Sequence, residues 1–223
     1  EDLRRDVRRQ RSAVTLSFIE HSQAIIDMTT PFQLSLPLVS VDSATPRASE
    51  ILASTKASMG MVPNMYAAMG NVAPLLETYT EGYARFRRES GFTPAEQEVV
   101  FLTISRVNGC EYCVSAHSML SEKVSNVPAD VVRAIRQGEH VEDARLGPLA
   151  RFTAHFVETR GRPTQQVTAQ FLNAGFTEAH ILHVLLATAV KTISNYTNHL
   201  FDTPLDAAFA THRWSAPASA IAI

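Results

Sequence analysis

A chain of 223 residues with 45% apolar side chains can bury a hydrophobic core without disulfide support, which excludes a disordered chain and a disulfide-framework protein. Its 20 basic and 22 acidic side chains nearly balance to a net charge of −2, and no basic stripe is visible, which argues against nucleic-acid binding. No apolar run of about 18 residues predicts a transmembrane helix and no signal-peptide core is visible, so we expect a cytoplasmic protein without a membrane partner.

The N-terminal region differs in composition from the rest of the chain. Residues 1–27 hold five arginines and five acidic residues, with apolar residues spaced roughly as one helical face. We predict an N-terminal extension over 1–27, and an ordinary first helix of the domain is the alternative. The main helical domain is predicted to span 28–214, followed by a flexible tail at 215–223.

After an extended arm at 31–41, where Pro31 and Pro37 disfavour a sheet strand, the chain is predicted to be helical. Prolines recur where a first helical turn would begin, and glycines recur where a helix would end. No convincing polar–apolar alternation indicates strands between them. The predicted helices cover residues 46–59, 63–70, 74–90, 94–108, 111–123, 128–137, 147–160, 164–173, 178–201 and 204–210. The predicted fold class is therefore all-α.

The helix predicted at 94–108 has a well-marked start and end. Thr93 can cap it, a proline takes the first helical position, and Glu96 can return the capping bond. Asn108 and Gly109 then break the helix, and the next helix begins directly after them. Because the turn is so short, we expect the two helices to form an antiparallel hairpin.

The stretch NGCEYCVSAHSM at residues 108–119 contains both cysteines of the chain. On a helix, Cys110 and Cys113 are neighbours at i, i+3, and His117 follows Cys113 at i, i+4, so all three share one face. The partial positive charge at a helix N-terminus favours a thiolate, and an imidazole one turn away can accept the thiol proton. The spacing therefore suits a redox-active dithiol.

Glu98 is predicted to extend this group. It lies about as far before the turn of the hairpin as His117 lies after it. At a rise of ~1.5 Å per residue, the distances of the two residues from the turn, measured along their helices, differ by only ~3 Å. A carboxylate bonded to one imidazole nitrogen fixes the tautomer and raises the basicity of the other nitrogen. We therefore predict a proton relay formed by Glu98, His117 and Cys113.

Other interpretations of these residues stay open at this point. The cysteines could be inert packing residues, since buried structural thiols are common. A metal site formed by the two cysteines and His117 has suitable ligands but lacks a clear fourth one, with His180 and His183 as distant candidates, so no metal is predicted. Glu98 could be a surface carboxylate that interacts with the helix dipole.

The segment EQEVVFLTISRVNGCEYCVSAHSM resembles the core of the alkylhydroperoxidase D-like family, within the carboxymuconolactone decarboxylase superfamily. The pattern of Glu98 followed by Cys110, Cys113 and His117 is far more specific than a lone pair of cysteines. Two further segments, GMVPNMYAAMGNVAPLLETY and ISNYTNHLFDTPLDAAF, are similar to the peroxidase-related branch and extend the resemblance to roughly residues 28–214.

This resemblance implies an all-helical fold, assembly into trimers or hexamers, and thiol-dependent reduction of hydroperoxides without haem, metal or another cofactor. It makes Cys113 the peroxidatic thiol, Cys110 its resolving partner, and His117 with Glu98 the proton relay. An external dithiol or a redox protein would restore the pair. Well-studied members have a histidine where this chain has Tyr112, which can donate a hydrogen bond but is a poor proton shuttle near neutral pH. Tyr112 is therefore expected to be an auxiliary residue, and turnover is expected to be slow.

Two alternatives concern the role of the cysteines. Local electrostatics alone favours Cys110 as the nucleophile, because it is nearer the helix N-terminus, whereas the position of His117 favours Cys113, which we prefer. A dithiol–disulfide exchange protein with little peroxidase activity is the enzymatic alternative. A redox-sensing oligomeric scaffold without catalysis is the other. The decarboxylase activity is disfavoured because that branch typically lacks the cysteine pair.

The helix predicted at 178–201 carries apolar residues on more than one face. A two-layer helical domain covers one such face, and a neighbouring subunit is the most direct cover for the other. A helix wrapped wholly within its own domain is the alternative. We therefore predict a homo-oligomer.

Overall fold

The computed structural model describes residues 30–217, and these residues form α-helices, a 3₁₀ helix and connecting turns. The helices are α1 Pro46–Met59, α2 Asn64–Met69, α3 Ala73–Glu89, α4 Pro94–Val107, α5 Glu111–Lys123, α6 Ala129–Gln137, α7 Leu146–Glu158, α8 Gln165–Asn173 and α9 Glu178–Phe201, followed by the 3₁₀ helix Ala207–His212. No β-strand occurs in the described part of the chain, so the predicted all-α class is confirmed.

The chain divides into two compact units, residues 1–33 and residues 34–223. Of the first unit, only residues 30–33 are described, and they contain neither helix nor strand. The predicted extension at 1–27 lies outside the described residues, as do residues 218–223 of the predicted tail. Between residues 30 and 217, no helix is both long enough and apolar enough to cross a membrane.

Local sequence signals determine where α4 and α5 begin and end. The Thr93 hydroxyl accepts a hydrogen bond from the Glu96 backbone at 3.3 Å, and Glu96 Oε2 accepts one from the Thr93 backbone at 2.8 Å. The predicted capping box is therefore present. Beyond α4, Gly109 has a φ of 68°, a conformation that side-chain-bearing residues rarely adopt. The chain reverses there, and α4 and α5 pack together as the predicted hairpin.

Helix α4 lies at the centre of the second unit and packs against α5, α6, α7 and α9. All of its side chains from Glu96 to Ser105 are buried. A large apolar cluster surrounds it, in which Phe101 packs with aromatic residues from neighbouring helices. A second cluster, made by α1, α2, α3, α5, α9 and the 3₁₀ helix, contains both Cys110 and Cys113. The cysteine pair is therefore enclosed by helices rather than displayed on a surface turn.

The helix predicted at 204–210 is not formed as predicted, since the structure has a 3₁₀ helix at Ala207–His212 instead. The cause is Asp206, whose backbone is extended, with φ −63° and ψ 146°. Its carboxylate accepts hydrogen bonds from the Asn64 backbone, at 3.2 Å, and from the Tyr112 hydroxyl. These contacts hold Asp206 out of a helix, so helical structure begins one residue later.

Candidate active site

Four polar side chains from four helices form a continuous chain beside the cysteine pair. His117 of α5 places Nδ1 2.8 Å from Oε2 of Glu98 on α4. The other ring nitrogen, Nε2, lies 3.0 Å from Nζ of Lys191 on α9. The second oxygen of Glu98 accepts a hydrogen bond from Arg87 of α3. Glu98, His117 and Lys191 are 1%, 4% and 1% exposed, so the chain from carboxylate to ammonium is shielded from solvent.

These contacts fix the protonation pattern of His117. A lysine ammonium can only donate hydrogen bonds, so Nε2 of His117 accepts from Lys191 and Nδ1 donates to Glu98. The imidazole is therefore neutral. Burial and the charge of Lys191 lower the pKa of His117, although Glu98 opposes that shift.

Glu98 is an ionised carboxylate in the protein interior. Burial by itself raises the pKa of Glu98, but His117 and Arg87 outweigh burial and bring that pKa below its ordinary value. Arg87 is in turn held by the Tyr83 hydroxyl at 2.6 Å and by Gln97 Oε1 at 3.1 Å. The interpretation of Glu98 as a surface carboxylate is therefore wrong, because the hairpin packs α4 between other helices.

Both cysteines are free thiols and both are buried. Cys110 is the N-cap residue of α5, and Cys113 lies in its first turn. The side-chain amide of Asn198 on α9 lies 3.7 Å from the sulfur of Cys110 and 3.2 Å from the sulfur of Cys113. The hydroxyl of Ser194 lies 3.8 Å from the Cys113 sulfur. Helix α9 thus contacts both sulfurs from one side.

The two thiols differ in their tendency to ionise. Burial raises the pKa of Cys113, but the hydrogen bond from Cys110 and the charge of Lys191 outweigh burial and bring that pKa well below its ordinary value. For Cys110, burial raises the pKa, and the hydrogen bond to Cys113 raises it further. Cys113 is therefore the cysteine of the pair that ionises more readily. This pattern favours Cys113 as the nucleophile, against the argument from the helix N-terminus alone.

Tyr112 lies apart from the proton chain. Its hydroxyl donates a hydrogen bond to Asp206, and burial, followed by that hydrogen bond, raises the pKa of Tyr112. The tyrosine therefore stays protonated and ties α5 to the segment before the 3₁₀ helix. An auxiliary role in the chemistry stays a prediction.

A cavity of about 520 Å³ adjoins the cysteine pair, and we call it the α5–α9 cavity. Its walls come from the start of α5, the end of α9 and the C-terminal segment, and include Cys110, Tyr112, His199, Leu205, Arg213 and Trp214. Cys110 lines this cavity, whereas Cys113 does not. The cavity therefore ends beside the first cysteine of the pair.

The structure brings together Glu98, Cys110, Cys113 and His117, and it adds two residues that sequence analysis missed, Lys191 and Asn198. A signal for them exists in the sequence. Polar side chains at positions 191, 194, 195 and 198 follow the i, i+3, i+4, i+7 spacing of one helix face within an otherwise apolar helix, and all four are buried. A buried polar stripe of this kind requires partners. The cysteine–histidine group supplies them for Lys191, Ser194 and Asn198, and Asn108 supplies one for Asn195.

The metal-site interpretation finds no support in the geometry. Both ring nitrogens of His117 are engaged by Glu98 and Lys191. Within residues 30–217, no group of three or more His, Cys, Asp or Glu side chains is arranged to hold a metal ion. His180, one of the distant candidates, closes a capping box with Thr177 at the start of α9.

Comparison with known proteins gives a family match and several structural neighbours. Residues 73–152 match the carboxymuconolactone decarboxylase family. The fold is similar to the alkylhydroperoxidase AhpD core of an uncharacterized peroxidase-related protein from Ralstonia eutropha JMP134, with a TM-score of 0.69 and 16% identity over 81% of this chain and 95% of that one. An uncharacterized peroxidase-related protein from Silicibacter sp. TM1040 gives a TM-score of 0.66 and 19% identity over 83% and 97% of the two chains.

A third neighbour is the debrominase Bmp8, solved as a cysteine-to-alanine variant in complex with 2,3,4-tribromopyrrole. It gives a TM-score of 0.65 and 16% identity over 83% of this chain and 96% of that one. No curated protein matches the chain.

The fold and the site together define a helical protein with a buried cysteine pair and an internal proton chain. Its fold is similar to the alkylhydroperoxidase AhpD core, and residues 73–152 match the carboxymuconolactone decarboxylase family, in agreement with the resemblance stated from the sequence.

Proposed function

We propose that the protein is a thiol-dependent peroxidase-like oxidoreductase that reduces hydroperoxides through a Cys110–Cys113 dithiol–disulfide cycle. The observation that carries the proposal is the chain from Glu98 through His117 to Lys191, which stabilises a thiolate at Cys113. A thiolate is the nucleophilic form of cysteine, and an adjacent proton chain can protonate the leaving group.

In the first step, the Cys113 thiolate attacks the terminal oxygen of the hydroperoxide. The S–O bond forms as the O–O bond breaks, and the alkoxide takes a proton from the chain to leave as the alcohol. In the second step, the Cys110 thiol attacks the sulfenic acid on Cys113, the S–S bond forms, and water leaves with the Cys110 proton. An external dithiol then supplies two electrons, restores the pair and returns the proton.

Lys191 has two roles in this cycle. Its positive charge lowers the pKa of Cys113, so the nucleophile exists at neutral pH. It also donates a hydrogen bond to Nε2 of His117, so that this nitrogen carries no proton. The imidazole, supported by Glu98, can therefore accept a proton that replaces the one passed to the alkoxide. The contact between Asn198 and both sulfurs keeps the resolving thiol beside the sulfenic acid.

The proposal is tested by hydroperoxide consumption with cumene hydroperoxide and a dithiol supply. The Cys113→Ser variant should lose consumption, and wild type should form a reversible Cys110–Cys113 disulfide that mass spectrometry detects. In Cys110→Ser, a sulfenic acid on Cys113 should accumulate and react with dimedone. Full activity in Cys113→Ser, or only irreversible sulfonic acid in wild type, would contradict the mechanism.

A dithiol–disulfide exchange function is the second candidate, and it is favoured by one observation. Cys110 is among the residues that line the α5–α9 cavity, so a small thiol or disulfide in that cavity would lie beside the redox pair. Rates with cumene hydroperoxide and with a small disulfide substrate separate the two functions. Because one structural neighbour is a debrominase, 2,3,4-tribromopyrrole belongs in the same comparison, with bromide release as the readout.

We also propose that the protein is a homo-oligomer. Leu182 and Leu185 lie on the face of α9 turned away from the cysteines and are 67% and 51% exposed. Exposed leucines one turn apart on the longest described helix are typical of a subunit contact. A second copy that covers this face would leave the site on the opposite face of α9 unchanged.

A further inference from the structure

Another cavity, of about 300 Å³, lies between α4, the end of α6 and α7, and we call it the α4–α7 cavity. Neither cysteine lines it, and neither do Glu98, His117 and Lys191. Much of its wall is apolar, from Val107, Ile135, Val141, Ala150 and Ala154. A cavity of this volume is at the lower end of the range for small-molecule sites, so it can hold a ligand with few non-hydrogen atoms.

Arg106 of α4 supplies a cationic group to the wall of this cavity. Its side chain is half-buried, and its guanidinium forms no hydrogen bond or ion pair with any residue of 30–217. A Cβ at Gly138 would overlap Nη2 of Arg106, so the missing side chain at this position leaves the space that the guanidinium occupies. The fold therefore holds an unpaired guanidinium against the end of α6, beside the cavity.

Thr103 gives the same wall a buried hydroxyl. It lies one turn before Arg106, so both side chains are on the face of α4 that borders the cavity. Thr103 is 4% exposed, and its hydroxyl has no hydrogen-bond partner in the described part of the chain. A buried polar group without a partner costs free energy. Because a hydroxyl and a guanidinium can both donate, one ligand group with acceptor oxygens can satisfy them together.

The other charged side chains of the wall limit the charge of such a ligand. Arg151 donates a hydrogen bond to a glutamine of α8 at 2.9 Å and lies 3.5 Å from Nδ1 of His140. Glu139 accepts a hydrogen bond from Arg133 at 2.5 Å. Glu158 is exposed at the same cavity. The two glutamates repel a dianion more strongly than an anion with a single charge.

We propose that the α4–α7 cavity binds a small monocarboxylic acid with a short apolar body. The planar guanidinium of Arg106 matches a carboxylate in shape and charge, and Thr103 donates a further hydrogen bond to it. The apolar wall covers the hydrocarbon part of the ligand. This binding site is separate from the redox group, so the inference does not rest on the proposed peroxidase function.

The test uses the full chain and trifluorobutanoate, which has one carboxylate and a short apolar body, observed by fluorine NMR. Wild type should broaden the ligand signal in a saturable way. The uncharged trifluorobutanamide should bind at least about 10-fold more weakly, because it lacks the charge-assisted hydrogen bonds. Butanoate should displace the probe, and inorganic phosphate at the same concentration should not. Equal binding of the amide, no saturable binding of the acid, or equal displacement by phosphate would overturn the proposal.

Variants locate the binding site. Arg106→Met should weaken binding of trifluorobutanoate by at least about 10-fold. Arg88→Met is the matched control, because Arg88 is an exposed arginine of α3 outside the cavity, and it should bind as wild type does. Ala154→Leu narrows the cavity and keeps Arg106, so it should also weaken binding, and it decides the question if Arg106→Met does not fold.

Wild-type affinity in a folded Arg106→Met or a folded Ala154→Leu would reject the α4–α7 cavity as the binding site. Equal loss of affinity in Arg88→Met would show that the acid responds only to the overall charge of the protein. Because neither cysteine lines the cavity, these results stay decisive in a protein that fails to consume hydroperoxides.

Discussion

Replacement of Lys191 by methionine removes the ammonium that lies 3.0 Å from His117 Nε2 and keeps an unbranched side chain of similar length. The charge of Lys191 is one of the causes that lower the pKa of Cys113, and opposite charges that shift a pKa typically lie ~4–6 Å away. At an effective dielectric constant of about 20, a unit charge at ~5 Å contributes about 3 kcal/mol, which is roughly 2 pKa units. We therefore expect the pKa of Cys113 to rise by roughly 2 units.

The assay is the rate of iodoacetamide alkylation from about pH 5 to about pH 10, with the modified cysteine located by mass spectrometry, since only the thiolate reacts. The inflection for Cys113 should move upward in Lys191→Met and stay low in Lys191→Arg, which keeps the charge. The pKa of His117, measured by NMR, should also rise, because the charge that opposes its protonation is gone.

Lys56→Met provides the matched control, because Lys56 is an exposed lysine in the last turn of α1. It loses the same charge at a site where solvent screens it. An inflection in Lys191→Met within about 0.3 units of wild type, or an equal shift in Lys56→Met, would refute the assignment of Lys191 as the stabilising charge, since a direct contact shifts a pKa by about 1–3 units.

Three further predictions follow from the same contacts. In Glu98→Gln, alkylation of Cys113 at neutral pH should slow by roughly 10-fold or more, and an unchanged rate would limit the carboxylate to a packing role. The pKa of His117 is lower in the folded protein than in the unfolded chain. Between about pH 7 and about pH 5, the unfolded chain therefore binds a proton at His117 that the folded protein does not bind. The free energy of unfolding should fall as the pH is lowered through this range. Urea titrations should show a smaller fall in His117→Gln than in wild type, and an equal fall would assign the effect to other groups. Wild type should sediment as an oligomer, and a Leu182→Glu/Leu185→Lys variant should sediment as a smaller species. A wild-type monomer near 24.5 kDa at micromolar concentration would contradict the prediction of an oligomer.

Much of the site was predictable because its residues belong to one short helical hairpin. The capping box at Thr93 and the break at Gly109 are local signals, and together they fix the register between α4 and α5. Once that register is fixed, the depth of a residue along each helix follows from the rise per residue. The contact between Glu98 and His117 could therefore be inferred without knowledge of the other helices.

Only the tertiary structure decided how these residues ionise. Lys191 and Asn198 are more than 70 residues from the cysteine–histidine segment, and no local rule fixes the rotation of α9 about its axis. The polar stripe of α9 indicated that partners were needed, but the packing of that helix determined which ones. The sequence thus determined which groups could carry redox chemistry, through spacing along a helix. Long-range packing decided which cysteine ionises more readily and which one lines the α5–α9 cavity, because burial and charge act through space rather than along the chain.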